Sequence, residues 1–198
     1  QRAAVAVTVL VALSACGGGS DPDSSGSPVV TTVSDWATHQ GTASHRGHVP
    51  MRLDASRFAL AWQWQREPAT EPIGGINAVV TSAGKVFVSR DVYFGEGVLY
   101  ALDELSGAES WRINFGQVPA LGPPAVSQGR VFVPTTGHEQ TALWAFDAAT
   151  GQYLFKAPFE GQWPHAMAPT VHRSQVYVGA GYYGGTTYAF GASSGSRL

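Results

Sequence analysis

The chain carries short apolar stretches that return at a fixed interval. Residues 84–88 read GKVFV, and the same order of polar start and alternating β-branched and aromatic positions returns at 129–133 and 174–178, in steps of 45 residues. A period of this length is typical of architectures in which each unit buries its apolar faces against its neighbours. The pattern therefore predicts at least three copies of one structural unit.

Each unit is predicted to contain four short strands. In the first unit they lie at about 78–82, 85–90, 98–103 and 109–115, with Gly or Ser at the breaks. Such spacing is typical of an antiparallel meander with two apolar faces. Radial stacking of the units covers both faces and leaves only short edges. We therefore predict an all-β fold, a β-propeller of four-stranded antiparallel blades. The three visible blades are expected at about 78–116, 124–161 and 169–198.

The segment before the first unit is predicted to belong to the same fold. Residues 58–65 read FALAWQWQ, an alternation typical of a half-buried strand. We expect this N-terminal closing strand to form the outer strand of a blade whose other strands come from far along the chain. A ring of about seven or eight blades needs about twice the residues present. The sequence is thus expected to be a fragment with an incomplete ring, and residues 35–198 are assigned to the partial propeller.

A finer motif follows the third strand of each unit. The first copy has the form A-x-D-x-x-S-G-x-x-x-W-x-x-x-x-G, the second places Phe at the Trp position, and the third ends before that position and has Gly191 in place of the Asp. The motif closely resembles the tryptophan-docking motif of the quinoprotein (PQQ-type) propeller repeat. Its members are Ala101, Asp103, Gly107, Trp111 and Gly116, then Ala145, Asp147, Gly151, Phe155 and Gly161, then Ala189 and Gly195.

The motif residues have structural roles that their chemistry predicts. Asp103 and Asp147 can accept backbone N–H bonds in an Asx-type turn, and Gly107 and Gly151 can supply a positive φ. The aromatic ring that follows is suited to packing between blades. Because the repetition itself accounts for these residues, we assign none of them a catalytic role.

The first residues of the chain predict export and lipid attachment. Residues 3–12 are an apolar run after Arg2, too short to cross a bilayer and typical of a signal peptide. The four residues LSAC that end at Cys16 resemble a bacterial lipobox, which implies cleavage and lipidation at Cys16; a plain signal peptide or a buried helix with a chance cysteine is the alternative. We assign residues 1–15 to the signal peptide and 16–34 to a lipidated flexible linker.

Composition and charge argue against several classes of partner and ligand. A net charge of -2 with no run of Lys or Arg argues against a nucleic-acid partner. His39, His45 and His48 lie close in sequence, but a zinc site needs three or four ligands from fixed elements, so no metal site is predicted. The glycine pairs at 74–75 and 184–185 are interpreted as turns and not as phosphate loops. We name no catalytic or cofactor-binding residue.

Two functions remain open for such a chain. In anchor, linker and repeat it resembles lipid-anchored propellers that assist the assembly of outer-membrane barrels. That resemblance implies a scaffold in the cell envelope, at the outer membrane facing the periplasm, that binds a protein or peptide partner without catalysis or cofactor. The alternative is a PQQ- and calcium-dependent quinoprotein dehydrogenase that oxidises an alcohol or sugar. The visible blades contain no adjacent Cys-Cys pair of the kind this family often carries and no recognisable cluster of convergent acidic residues, which weakens the dehydrogenase without excluding it, because missing blades could contain this machinery; the scaffold is favoured. A carbohydrate-binding propeller is a third option.

Overall fold

Short antiparallel strands make up nearly all of the regular structure. The computed structural model describes residues 35–49, 54–65, 75–91, 95–137, 141–161, 168–180 and 185–198. All of them belong to the unit Asp35–Leu198. The predicted signal peptide, Cys16 and the linker lie outside the described residues, as do His138, His165, Tyr182 and Tyr183.

The strands follow the predicted order closely. One 3-10 turn, Ala55–Arg57, precedes them. They are β1 Gly75–Ile76, β2 Val80–Ser82, β3 Lys85–Asp91, β4 Gly95–Asp103, β5 Glu109–Val118, β6 Ala120–Leu121, β7 Ala125–Ser127, β8 Arg130–Thr136, β9 Ala142–Asp147, β10 Tyr153–Pro158, β11 Thr170–His172, β12 Gln175–Ala180 and β13 Thr186–Gly191.

The strands form three separate antiparallel sheets. Blade 1 has the order β1-β3-β4-β5 with β2 also paired to β3, blade 2 has the order β10-β9-β8-β6 with β7 paired to β8, and blade 3 has the order β11-β12-β13. Equivalent residues keep one register, with Phe87 opposite Ala101 in blade 1 and Phe132 opposite Ala145 in blade 2. The prediction of an all-β protein built from repeated antiparallel meanders is confirmed. No closed ring is formed by the part of the chain that the structure describes.

The inner strand of blade 1 is divided, whereas the sequence predicted one strand at 78–82. Asn77 lies at the break between β1 and β2. Its side-chain nitrogen donates to Ser89 Oγ at 2.9 Å and to Leu121 O at 2.8 Å. Ser89 Oγ in turn donates to Gly122 O at 2.7 Å. Asn77 and Ser89 thus connect blade 1 to the inner strand of blade 2, which is itself divided into β6 and β7 at the equivalent position.

The sheets of blades 1 and 2 bury apolar side chains on both faces. Val86 and Val88 of β3 pack under Trp62 and Trp64 on one face of blade 1. Phe87, the residue between them, packs on the opposite face in a core shared with blade 2. Because side chains alternate along a strand, a sheet that is covered on both sides has nearly continuous apolar strands.

A second shared core repeats this arrangement between blades 2 and 3. There Phe132 of β8 packs with Val176 and Val178 of β12. The two shared cores join the three sheets in sequence order, as the blade prediction requires.

The segment 58–65 differs from its prediction as a strand. None of its residues is in a strand among the described residues. Trp62 and Trp64 instead lie against the face of blade 1, and the ring of Trp64 contacts that of Tyr100 with centroids 4.8 Å apart. No strand among the described residues pairs with the segment, so its backbone belongs to no ladder there. Its assignment to a closing blade stays a prediction.

The described residues contain no helix with the length and apolar character needed to cross a bilayer.

Candidate functional site

The repeat motif places an aromatic ring of one blade on the glycine turn of the next. A Cβ atom on Gly151 of blade 2 would lie 2.9 Å from the ring of Trp111 in blade 1, and one on Gly195 of blade 3 would lie 2.5 Å from the ring of Phe155 in blade 2. The indole nitrogen of Trp111 also donates to Ala148 O at 3.2 Å. The glycine is therefore required both for its positive φ and for the close approach of the ring.

Trp62 is a third member of this series that the repeat pattern alone did not reveal. Its ring lies on Gly107, where a Cβ atom would be 2.6 Å from the indole, and its nitrogen donates to Glu104 O at 2.9 Å. The sequence does contain this tryptophan, but its spacing differs from that of the repeat. Trp62 precedes Trp111 by 49 residues, whereas Phe155 follows it by 44. The insertion between Trp62 and the first unit concealed the repeat.

The motif aspartates cap the turns in which those glycines lie. Asp103 Oδ1 accepts from the Ser106 hydroxyl at 2.7 Å and from Ser106 N at 2.8 Å. Asp147 Oδ1 accepts from the Thr150 hydroxyl and from Thr150 N, both at 2.8 Å. In each case the hydroxyl donor, followed by the backbone N–H, lowers the pKa of the carboxyl group below its ordinary range. These are the bonds expected of an Asx-type turn, and they leave Oδ1 committed to the turn.

The motif alanines separate pairs of aromatic rings. Ala101 lies opposite Phe87 on one side and opposite Trp111 on the other, and the two rings are 5.8 Å apart. Ala145 lies in the same way between Phe132 and Phe155. A larger side chain at either position would compete with the two rings for the same space.

The remaining motif residues also have structural roles, through their backbone conformation, hydrogen bonds or strand pairing. Gly116 has φ +69° within β5, and its N–H donates to Asn114 Oδ1 at 2.7 Å. Gly161 accepts a bond from Thr141 Oγ1 through its carbonyl at 3.1 Å. Ala189 of β13 lies opposite Tyr177 of β12.

A cavity beside the described inner strands lies at the hub, where the three blades converge. It has a volume of about 620 Å³. Ala78, Pro123 and Ala168, which line it, occupy equivalent positions of the three units at intervals of 45 residues. No motif residue is among its described lining residues. The motif and the hub cavity are therefore distinct features of the fold.

Residues 35–45, which we call the hub segment, form one side of the hub cavity. Its residues His39 and His45 line the cavity. His45 Nδ1 lies 2.8 Å from His39 O, and His45 Nε2 lies 2.8 Å from Thr170 Oγ1. Because a carbonyl oxygen only accepts, Nδ1 is the donor, and in the neutral ring Nε2 accepts from the Thr170 hydroxyl. The imidazole is thereby held at the cavity wall by two elements.

Blade 3 also lines the cavity, and its residues there are more polar than their equivalents in the other blades. Thr170, Tyr177 and Thr187 line the cavity there. The equivalent residues of the first two blades are all buried and apolar: Val80, Phe87, Leu99, Ala125, Phe132 and Leu143. Blade 3 thus presents hydroxyl groups where its neighbours present only hydrocarbon.

The donor set at the hub does not fit a calcium site. Calcium is held by six to eight oxygen ligands that usually include carboxylates. The described lining contains hydroxyl and imidazole groups and no carboxylate. Among the residues that the structure places, no group of three or more His, Cys, Asp or Glu side chains could hold a metal ion. His172, in β11, is exposed.

Comparison with known proteins identifies the repeat. The family model described as outer membrane protein assembly factor BamB matches residues 95–198. The chain belongs to this family of PQQ-type repeat propellers. No curated protein matches the chain.

Three solved structures that are similar to this chain are considerably longer than it. A europium-containing methanol dehydrogenase superposes with a TM-score of 0.61 at 18% identity, over 83% of this chain and 31% of the other. The quinohemoprotein alcohol dehydrogenase of Comamonas testosteroni gives 0.60 at 25% identity, over 82% and 26%. BamB from Moraxella catarrhalis gives 0.47 at 19% identity, over 71% and 42%. The chain therefore spans less than half the length of each of these structures.

The ring docking makes Gly151 far less tolerant of a side chain than an equally strained glycine elsewhere. We expect Gly129→Ala to lower the free energy of unfolding by about 1 kcal/mol, because φ is +71° and nothing lies within 4 Å of the new Cβ. Gly151→Ala carries the same backbone cost and should lose about 1–3 kcal/mol more by displacing Trp111. Urea unfolding of both variants measures the difference. Equal losses would contradict the docking role.

The capped turns should give the protein a pH-dependent stability. Because the folded-state pKa of Asp147 lies below the unfolded one, its contribution is complete above the unfolded pKa and is lost as the pH falls through the folded pKa. Thr150→Val removes the main donor, so NMR titration should show a higher pKa for Asp147. Asp103 is the internal control, and its titration should not move. An unchanged Asp147 titration would show that the Thr150 hydroxyl does not cause the shift.

Proposed function

We propose that this chain is part of a non-catalytic recognition propeller of the cell envelope, which binds an extended segment of a protein partner in the hub cavity. Membership of a family described as an outer-membrane protein assembly factor supports the choice of partner. The strands of outer-membrane barrels alternate apolar and polar side chains. An extended segment of that kind needs a site with one apolar side and one hydrogen-bonding side.

The composition of the hub cavity is the observation that carries this proposal. Ala78, Pro123 and Ala168 contribute apolar groups to its lining, and Thr170 and Thr187 contribute hydroxyl groups. Hydroxyl groups both donate and accept, so they suit the N–H and C=O groups of a peptide backbone. The aspartates and tryptophans of the repeat are occupied in turns and ring docking. The acidic and aromatic groups of the motif thus stabilise turns and hold the blades together, and we assign recognition to the hub cavity.

Oxidation of an alcohol or sugar with PQQ and calcium is the other activity considered for such propellers, and the dehydrogenases with this fold are the reason to consider it. The described hub lining contributes hydroxyl, imidazole and apolar groups. None of these is the carboxylate-rich oxygen set that calcium prefers. The chemistry of the described residues therefore favours recognition over this reaction.

We further propose that the protein is anchored to the outer membrane, facing the periplasm, through lipid on Cys16. The support is the lipobox-like sequence LSAC together with the polar residues that follow it. A lipid anchor would place the propeller where barrel proteins are assembled. Recognition at the hub and anchoring at Cys16 are separable, and each has its own test.

Filling the hub cavity should abolish peptide binding. Thr187→Trp places an indole in the cavity, whereas Thr186→Trp places one on the opposite face of the same strand, because side chains alternate along β13. The probe is a fluorescent ten-residue peptide with alternating apolar and polar residues, and its binding is followed by anisotropy. We expect Thr187→Trp to weaken binding at least about tenfold, a loss of about 1.4 kcal/mol, and Thr186→Trp to leave it within about twofold. Equal effects, or no binding to the parent protein, would refute the proposal.

Removing the proposed lipid attachment residue should release the protein from membranes. Cys16→Ala, made in the complete reading frame, eliminates the only thiol of the chain. We expect the protein to move from the membrane pellet to the soluble fraction after cell fractionation. Ser14→Ala keeps a small residue before the cleavage point and should remain in the pellet. Retention of Cys16→Ala in the pellet would show that the lipobox interpretation is wrong.

A further inference from the structure

Three consecutive residues of the hub segment each contact a different blade. Trp36 O accepts from Thr81 N of blade 1 at 2.9 Å. Ala37 O accepts from Val126 N of blade 2 at 2.7 Å. Thr38 Oγ1 donates to Pro169 O of blade 3 at 2.9 Å. One short stretch of chain thus joins the inner strands of all three blades.

Two of these attachments are reinforced by side chains. Trp36 N donates to Thr81 Oγ1 at 3.2 Å, and Ser82 Oγ donates to Asp35 Oδ2 at 2.7 Å. At blade 3, His45 Nε2 bonds to Thr170 Oγ1. The attachment to blade 3 is made by side chains alone, whereas blades 1 and 2 are held through backbone groups. The blade 3 attachment can therefore be removed by substitution while the other two remain.

The hub segment is itself a tight turn and not a loose connection. Ala37 N donates to Gly41 O at 2.9 Å, and Gly41 N donates to Thr38 O at 2.8 Å. The ring of Trp36 lies against Gly41, where a Cβ atom would be 3.2 Å from it. Thr38 is 4% exposed. A turn closed by these contacts holds the positions of residues 36–38 relative to one another.

The blades therefore have two kinds of connection at different distances from the hub. Away from the hub, the ring of one blade docks on the glycine turn of the next, as Phe155 does on Gly195. At the hub, residues 36–38 join the inner strands. Blades 2 and 3 also share an apolar core, and because such burial is non-directional the attachment at the hub adds a directional restraint on rotation of blade 3 about the ring-docking point.

We propose that the hub segment is a conformational device that fixes the spacing of the inner strands and, with it, the width of the hub cavity. His39 and His45 of the segment also line the cavity, so the element that sets the spacing forms part of the wall. Release of the segment from blade 3 lets blade 3 rotate about the Phe155–Gly195 contact and widens the cavity. This device needs no ligand and is independent of the proposed function.

The test removes the attachment to blade 3 in the whole chain. Thr38→Val deletes the hydroxyl donor, and His45→Asn deletes the ring while tolerating the left-handed backbone at φ +49°. The two changes are combined. The matched control is Thr42→Val, which removes a hydroxyl of the same segment that bonds only to Ser44 Oγ among the described contacts.

Spin labels next to the inner strands report the spacing. Ala83, Gln128 and Arg173 are exposed, equivalent residues of the three β-turns that follow β2, β7 and β11. Cysteines are introduced in pairs, at 83 and 128 for blades 1 and 2 and at 128 and 173 for blades 2 and 3, after Cys16→Ser has removed the native thiol. Pulsed electron–electron double resonance then gives the distribution of distances between the two labels of each pair.

The double variant should shift the distribution for the 128–173 pair to longer and broader distances and leave that of the 83–128 pair unchanged. Thr42→Val should leave both pairs unchanged. Hydrogen exchange at Thr81 N and Val126 N shows whether the hub segment stays bonded to blades 1 and 2 in the double variant. If those two amides exchange at least about tenfold faster than in the parent protein, the segment has left these blades as well, and the distance of the 83–128 pair must also increase. An unchanged 128–173 distribution in the double variant would overturn the proposal, as would an unchanged 83–128 distribution after loss of amide protection.

Discussion

A sheet with apolar residues on both faces must have each face covered by a neighbouring part of the protein, and the rest of this structure depends on that requirement. Blade 2 meets it by packing Val131 and Val133 toward blade 1 and Phe132 toward blade 3. Burial of this kind is non-directional and does not by itself fix how far one sheet slides or turns on the next. The directional contacts do so: aromatic rings on glycine turns, and the hub segment across the inner strands.

Residues of the repeat motif and residues at which blade 3 departs from the repeat lie in different parts of the fold. Positions that recur in the units, such as Asp103 and Asp147, are used in turns. Positions at which blade 3 departs from the other two, such as Thr170 and Thr187, line the hub cavity. A propeller repeats whatever holds its blades together, because every interface poses the same packing problem. Departures from the repeat are consequently where an individual function is expected.

Prediction from sequence succeeded where the interactions are local. The Asx turn at Asp103 and the alternation in β3 involve neighbours in sequence, so period and residue type suffice. Prediction failed where contacts join distant residues. The hydrogen bond from Asn77 to Leu121 O joins two blades, and the docking of Trp62 depends on a turn 45 residues away across an insertion. Residues 58–65 alternate as a strand does but pair with no strand among the described residues, so their place in a closing blade stays a prediction.

The sequence by itself determined that this protein is built from PQQ-type repeats, because a 45-residue period and the placement of Asp, Gly and an aromatic residue are written in the order of the residues. Only the tertiary structure decided which ring meets which glycine, where the inner strands converge, and that residues 36–38 contact three blades in turn. The reason is physical. Periodicity specifies the faces that each unit must bury, whereas the cavity is formed by residues that lie far apart in the chain and become neighbours only when the blades are arranged around the hub.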